Sequence, residues 1–193
     1  RHIRTRFAGH PVKPVVVAGI TPEGVEFRRQ GEFVVTETGI EGGVIYGVSA
    51  WLRDEILAKG MAVIRLDLAP DRDLPRLIKD LSKPRGSRSM ASHLQRRAGI
   101  EGVKAALLRE FMAKQDLTDP ERLGAKIKSL PVPLVASRPL EEAISTAGGI
   151  ALDEVDSRTL QSLRVPGLFA VGEILDLDGP IGGFNFQSAF STG

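Results

Sequence analysis

The spacing of apolar residues changes twice along the 193 residues of the chain, from strand-like to helical and back to strand-like. This order of segments limits the folds that the chain can adopt. The N-terminal part carries three short runs between glycines and prolines that are β-branched or alternate in polarity: Val12 to Ala18, Val25 to Arg28 and Glu32 to Thr38. Short runs of this kind favour antiparallel strands and a small barrel. A helical stretch, Val48 to Leu57, separates them from a further predicted strand, Met61 to Leu68.

The middle of the chain has helical periodicity. Apolar residues recur at i, i+3, i+4 and i+7 and form one stripe: Leu74, Leu77, Ile78 and Leu81. Asp71 or Asp73 can cap this helix. Three more helices are predicted, at Ser87 to Arg97, Gly102 to Lys114 and Pro120 to Lys128, the last of them capped by Asp119.

The C-terminal part returns to extended segments. They are predicted at Val132 to Ser137, Ala143 to Thr146 and Gly167 to Val171. A last helix is predicted to begin near Phe184. The order of β, then α, then β segments predicts a mixed fold of the α+β or α/β class.

Cysteine is absent, which excludes a disulfide framework, a thiolate zinc site, an iron–sulfur cluster and a cysteine nucleophile. The absence fits a cytoplasmic protein. The apolar stretches, such as Pro14 to Ile20, are far shorter than the ~20 residues of a membrane helix, and Arg1 to Phe7 leads into no signal peptide. The three histidines lack metal-ligand spacing, so no metal site is predicted.

Glycine and carboxylate residues are concentrated between Gly167 and Gln187. An apolar strand is predicted to run into Gly172-Glu173, and after a polar loop Gly182-Gly183 opens a helix. Paired glycine lets backbone approach a ligand closely, and the N–H groups of a helix start attract negative charge. A carboxylate at a strand end can accept hydrogen bonds from sugar hydroxyls. A simple turn followed by a helix cap is the alternative interpretation.

Several segments together resemble one flavoprotein family, the aminoacetone oxidase-like and BaiN-like FAD-dependent oxidoreductases. The C-terminal segments are Ser145 to Ile150, Val165 to Glu173, and Asp176 with Gly182 to Asn185. Upstream, Gly31 to Gly42 resembles part of the β domain that is inserted in members of that family. The resemblance therefore spans almost the whole chain.

The resemblance implies that the chain is a fragment whose parent starts with a Rossmann-type half. Residues 1–70 would be a β-rich, barrel-like part of the inserted domain, residues 71–130 its helical part, and residues 131–193 the C-terminal segment of the Rossmann-type FAD-binding domain. The implied activity is a two-electron oxidation or reduction of a small organic substrate with FAD. NAD(P)H is a candidate electron donor and a homo-oligomer a candidate assembly. The catalytic residues stay unassigned.

The family's cofactor contacts can be carried over to single positions of this sequence. They are Gly172, Glu173, Asp176, Gly182, Gly183, Phe184, Asn185 and Phe186. The resemblance places Gly172, Glu173 and Asp176 beside the ribityl chain and pyrophosphate, and the helix start beside the pyrimidine edge of the flavin. Phe184 stands where many relatives have tyrosine, so a role for that hydroxyl is lost here.

Charge patterning supports a rival function. Residues 76–109 hold nine Lys/Arg against Asp80 and Glu101, whereas residues 139–193 hold two arginines against eight carboxylates. Basic residues around short helices are typical of a nucleic-acid-binding module. Few aromatic residues accompany them, and the acidic C-terminal part argues against this partner. A solvated basic face, or a lid over an anionic substrate, is therefore the favoured interpretation, and nucleic acid is the alternative to a small-molecule substrate.

The chain lacks the dinucleotide fingerprint. G-x-G-x-x-G needs two glycines separated by one residue, and no such pair occurs in the sequence. We therefore expect this 193-residue chain alone to bind FAD weakly or not at all, because the adenine and pyrophosphate site is missing. A fluorescence titration of the chain with FAD measures this, and submicromolar affinity would contradict the prediction.

Overall fold

In the part of the chain that the structure describes, five antiparallel strands form a curled half-barrel sheet. The computed structural model describes residues 2–21, 23–144, 146, 148–177 and 183–193, in two compact units, Arg1–Ala136 and Ser137–Gly193. The strand order is β3-β2-β1-β4-β5. The strands are β1 (Pro11–Ile20), β2 (Glu26–Val35), β3 (Ile40–Glu41), β4 (Ala62–Asp67) and β5 (Leu130–Leu134).

The strand β2 corrects one sequence prediction. The runs Val25 to Arg28 and Glu32 to Thr38, predicted as two strands, are one continuous strand that passes through Gly31. The helix α2 (Gly43–Tyr46) packs against β2, and a Cβ atom at Gly31 would lie 3.3 Å from the Val44 Cβ. Glycine here therefore serves close packing rather than a turn.

Helices cover the rest of the first unit. They are α1 (His2–Phe7), α2, α3 (Ser49–Lys59), α4 (Leu74–Leu81), α5 (Met90–Ala98), α6 (Gly102–Phe111) and α7 (Pro120–Lys128). The predicted caps are confirmed, since the carboxylates of Asp73 and Asp119 accept hydrogen bonds from backbone N–H groups of α4 and α7. Helix α6 ends three residues earlier than predicted, and a 3₁₀ turn, Lys114–Thr118, follows it.

One apolar core joins the sheet to the helices. The largest fully buried side chains of the first unit come from strands and helices alike: Phe33, Ile64, Leu66, Leu68, Leu77, Leu94, Ile100, Leu108, Ile127 and Leu130. The predicted stripe of α4 faces this core through Leu77 and Leu81. His93 is also buried, and its Nε2 lies 3.1 Å from the Leu81 carbonyl oxygen, so this histidine is hydrogen-bonded within the core.

A buried carboxylate, Asp67, lies where β4 leaves the sheet. Only 2% of its surface is exposed. One oxygen accepts the Ala69 N–H at 3.0 Å, and the other lies 2.7 Å from Lys128 Nζ and 3.2 Å from an Arg28 guanidinium nitrogen. Lys128 donates further to the Ala69 and Arg72 carbonyls, at 2.9 and 2.7 Å. This cluster ties β2, β4 and the end of α7 together.

A second lysine binds backbone at the same place. Lys104 on α6 donates to the carbonyl oxygens of Pro14 and Leu68, at 2.6 and 2.8 Å. Burial lowers the pKa of Lys104, and the carboxylates of Asp67 and Asp71 oppose that shift. Two lysines from two helices therefore satisfy carbonyl groups at the junction of the sheet and the helical part.

The second unit is built mainly of turns. Its regular pieces are the 3₁₀ turns Leu140–Glu142, Leu152–Glu154 and Gly172–Ile174 and the helix α8 (Gly183–Thr192). The predicted strand Ala143 to Thr146 is wrong for the described residues of that range. Gly167 to Val171 is likewise no regular strand and pairs through one bridge, between Gln161 and Phe169. Among the described residues of this unit, isolated bridges replace a regular sheet.

The predicted helix near Phe184 is confirmed, since α8 begins at Gly183. The predicted strand Val132 to Ser137 corresponds to β5, which ends earlier, at Leu134. The Rossmann-type character of residues 131–193 and the three-part division at 70 and 130 stay predictions. Among the described residues, no helix combines the length and the apolar character that a membrane crossing requires.

We predict that Asp67→Ala destabilises the first unit by about 3 kcal/mol, because removing one member of a buried ion pair leaves the others without compensation. Trp51, the single tryptophan, packs against Phe27 with ring centroids 5.2 Å apart and reports the unfolding of this unit. Urea denaturation followed by its fluorescence gives the free energy of unfolding.

Glu32→Ala is the matched control on the same sheet. Glu32 pairs with Lys13 at 3.6 Å, and both side chains are 62% exposed, so this change should cost below ~1 kcal/mol. Equal losses in the two variants would contradict a special role of the buried carboxylate.

Candidate functional site

The turn at Gly172 is fixed by the last helix. Gly172 has a positive φ of 72°, and its N–H donates to Thr192 Oγ1 of α8 at 2.8 Å. A Cβ atom at this glycine would lie 3.8 Å from Ala189 on the same helix. The 3₁₀ turn Gly172–Ile174 is therefore held against α8.

Glu173 and Asn185 meet across this contact. The Asn185 side-chain amide donates to Glu173 Oε1 at 3.2 Å, although twelve positions separate the two residues in sequence. Glu173 is exposed and Asn185 half-buried, and a carboxylate can accept several hydrogen bonds at once. The pair places a negative acceptor and an amide close to the first turn of α8.

The other predicted cofactor contacts are distributed around this pair. Asp176 is exposed, and its backbone N–H donates to the Ile150 carbonyl at 2.9 Å. Gly183 and Phe184 lie in the first turn of α8, and Gly182 lies outside the described residues. The Phe186 ring is 69% exposed and stacks on Phe190 with centroids 6.4 Å apart. The structure thus joins Glu173 to Asn185 directly, and it holds Gly172 against a later part of the same helix. The assignment of all eight residues to a cofactor stays a prediction.

Sequence reasoning did not single out Gly149, which supports the same loop. Ile150 donates its N–H to the Ile174 carbonyl at 2.8 Å and forms a parallel bridge with Leu175. A Cβ atom at Gly149 would lie 2.6 Å from the Ile174 oxygen and 2.9 Å from the Asp176 nitrogen. Only glycine fits this approach of two backbones, and the signal in the sequence was the pair Gly148-Gly149.

Apolar side chains of the second unit remain largely uncovered. Its buried core, among the described residues, consists of Val155, Ala170 and Leu175. Many large apolar side chains are at least 40% exposed: Leu140, Ile144, Leu152, Leu163, Val165, Leu168, Phe169, Val171, Ile174, Leu177, Phe186 and Phe190. So much exposed apolar surface on so small a unit is typical of an interaction surface.

The rival basic surface lies on α4, α5 and the loop between them, residues 82–89. Residues 74–100 carry seven Lys/Arg and one carboxylate, Asp80. Lys83 Nζ lies 2.5 Å from Asp80 Oδ1, and this hydrogen bond lowers the pKa of the carboxylate. The charges of Arg72 and Arg76 lower that pKa further. The negative charge of Asp80 is thus already compensated within the helical part.

An open groove of 460 Å³ lies between α1, α5 and α6. Its polar lining includes the arginines Arg6 and Arg109 and the carboxylates Glu101 and Glu110. The two arginines and the two carboxylates balance in charge, and the neutral Gln95 side chain donates a hydrogen bond to Glu101. No cluster of candidate metal ligands occurs among the residues that the structure describes.

The half-barrel sheet and the helical part described above agree with the result of a comparison with known protein families. A family model described as "HI0933-like protein barrel and H2TH domain" matches residues 1–145. The chain belongs to this HI0933-like family. The match supports the barrel and helical parts of the predicted fold and the flavoprotein family that the sequence resembled.

Two curated relatives share about a quarter of their aligned residues with this chain, and their names are those of enzymes. The chain is 27% identical over 191 residues to the ribosomal RNA dihydrouridine synthase of Escherichia coli and 25% identical over 186 residues to the 3-dehydro-bile acid delta(4,6)-reductase of Clostridium scindens. These alignments cover 96% and 92% of this chain but only 45% and 46% of the relatives, so the chain spans less than half of their length. A 47-residue stretch is 45% identical to the ribosomal RNA dihydrouridine synthase of Haemophilus influenzae.

We predict that Gly149→Ala disrupts the second unit, because the new Cβ would clash with the Ile174 carbonyl and separate the two backbones. Hydrogen exchange of the peptides that cover residues 148–177 should rise strongly, with loss of protection at the Ile150 and Asp176 amides. Mass spectrometry measures this region directly, while the first unit should be unchanged.

Gly148→Ala is the control for backbone strain. Gly148 also has a positive φ, of 95°, but a Cβ atom there meets nothing within 4 Å. This variant should cost only about 1 kcal/mol. If the amide hydrogens of residues 148–177 exchange at the same rate in both variants, the proposed clash at Gly149 is wrong.

Proposed function

We propose that the chain is part of an FAD-dependent reductase, in which the second unit helps to hold the flavin. The hydrogen bond between Glu173 and Asn185 at the first turn of α8 carries this proposal. It brings a hydrogen-bond acceptor close to the N-terminal end of a helix. The acceptor suits the ribityl hydroxyls of a flavin nucleotide, and the helix end suits its negative charge. The family match and a reductase among the relatives support the same class of chemistry.

Each element of the second unit would then have a defined task. The Glu173 carboxylate would accept hydrogen bonds from ribityl hydroxyls, and Asn185 would hold that carboxylate in place. The N–H groups at the start of α8 would stabilise negative charge on the pyrimidine edge of the reduced flavin. When bound, the flavin supplies hydride chemistry.

The missing partner of this unit is the remainder of the parent protein. The apolar side chains around Phe169, Ile174 and Phe190 are exposed here and would be covered by the Rossmann-type half. Burying them contributes about 25 cal/mol for each Å² of apolar surface, which favours the association of two halves of one domain. The two long alignments, each covering under half of a relative, agree with such a parent.

We infer further that the reaction adds hydrogen to an unsaturated organic group. The relatives are named as a dihydrouridine synthase and a delta(4,6)-reductase, and both names denote hydrogenated or reduced products. A reduced flavin held at this site would supply a hydride for such a group, and a proton would complete the addition.

Two substrate classes follow from these names, a base in ribosomal RNA and a free small molecule. The exposed cations of α4, α5 and their loop favour RNA, since a small neutral substrate needs no extended basic surface. The small organic substrate of the sequence analysis is the second candidate.

The proposed flavin site predicts that Glu173→Ala, made in the full-length parent, lowers FAD affinity about tenfold or more. The variant loses a charged hydrogen-bond acceptor, and such bonds contribute about 1.5–3 kcal/mol. Titration of the deflavinated parent with FAD, followed by quenching of flavin fluorescence, measures the affinity.

Asp153→Ala is the matched control, because Asp153 is an exposed carboxylate in the 3₁₀ turn Leu152–Glu154 of the same unit. Its FAD affinity should equal that of the unaltered parent. An unaltered affinity in Glu173→Ala would remove Glu173 from the site, and a parent that binds no FAD would refute the function itself.

A further inference from the structure

We propose that the loop between α4 and α5, residues 82–89, anchors the phosphate backbone of a structured RNA. The inference rests on the proposed function, in which RNA is the favoured substrate class, and it assigns the surface that would bind this substrate. All eight residues of the loop are exposed, and three of them are cationic: Lys83, Arg85 and Arg88.

The charges of this loop are available for a ligand. Arg85 and Arg88 form no ion pair or side-chain hydrogen bond with any residue that the structure describes. Lys83 already pairs with Asp80, so the two arginines are the free cations of the loop. Arginine presents a planar fork of N–H groups that binds phosphate oxygens in pairs, which makes it better suited to a phosphate backbone than lysine.

Helical residues extend the basic surface on both sides of the loop. On α4, Arg76 and Lys79 lie one turn apart on the exposed face, opposite the buried Leu77 and Leu81. On α5, Arg96 is exposed opposite the buried Leu94 and Ala98. A row of separated cations is the pattern expected of a surface that contacts successive phosphates.

The position of the loop is fixed by its two helices. Ser89 caps α5 by accepting a hydrogen bond from the Ser92 N–H at 3.2 Å. His93 reaches from α5 to the Leu81 carbonyl at the end of α4, so both ends of the loop are held close together. The arginines therefore extend from a fixed base, which lowers the entropy cost of binding.

The composition of the surface argues for RNA rather than a membrane. Peripheral membrane binding needs apolar side chains that enter the acyl region beside the cations. Between residues 82 and 89 no large apolar side chain occurs, and Met90, which follows, is half-buried. The loop is instead polar and contains Gly86, Ser87 and Ser89.

The test compares two charge-matched double variants of the full-length parent. Arg85→Gln/Arg88→Gln removes both free loop cations, whereas Arg29→Gln/Arg65→Gln removes two exposed arginines from β2 and β4. The probe is a fluorescein-labelled RNA stem–loop, and fluorescence anisotropy gives its affinity over a series of KCl concentrations.

The loop variant should bind the stem–loop more weakly, and the slope of log K against log salt should fall by about 1.4–1.8, for two lost phosphate contacts. The sheet variant should keep the slope of the unaltered protein. Equal slopes in the unaltered protein and the loop variant would overturn the proposal, as would equal losses in the two variants.

Vesicles of phosphatidylglycerol test the membrane alternative. If the loop variant loses vesicle binding but keeps its RNA affinity, the surface binds lipid and the proposal is wrong. The flavin content of each variant is read from the same samples. If the parent carries no flavin but its RNA binding depends on the loop, the proposed reductase is refuted and the anchor stands. If the parent carries flavin but its RNA binding does not depend on the loop, the anchor is refuted and the reductase stands.

Discussion

The buried carboxylate of Asp67 is the interaction on which the first unit depends. It lies where β4 ends, and its partners come from β2, from the following backbone and from the end of α7. Lys128 extends the cluster to the carbonyls of Ala69 and Arg72. Because the chain enters its helical part at Ala69, this cluster sets how the helices leave the sheet. The basic loop of α4 and α5 owes its position to that exit and to the core around Leu77.

Backbone packing has the corresponding role in the second unit, where few side chains are buried. Gly149 lets the segment at Ile150 approach the backbone of Ile174 and Asp176. Gly172 lets the 3₁₀ turn that it begins lie against α8. These contacts bring Glu173 to Asn185 without a large core. A unit held together in this way and exposing side chains such as Phe169 is suited to completing a larger domain.

Local signals predicted much of this structure. The stripe of α4, the caps Asp73 and Asp119 and the start of α8 followed from periodicity and capping, which depend on neighbouring residues. Tertiary contacts decided the failures. Gly31 looked like a turn but lies in a strand that packs against α2, and Gly167 to Val171 looked like a strand but pairs through a single bridge among the described residues. The family resemblance named Glu173 and Asn185 as separate cofactor contacts, whereas their pairing and the role of Gly149 needed coordinates.

If this chain helps to build a flavin site, the purified full-length protein should carry a flavin, and its visible absorption spectrum is the measurement to make. We expect the two absorption bands of an oxidised flavin at near-stoichiometric amount, bleached by dithionite. A folded parent that is colourless, and that stays colourless after incubation with FAD and gel filtration, would contradict it.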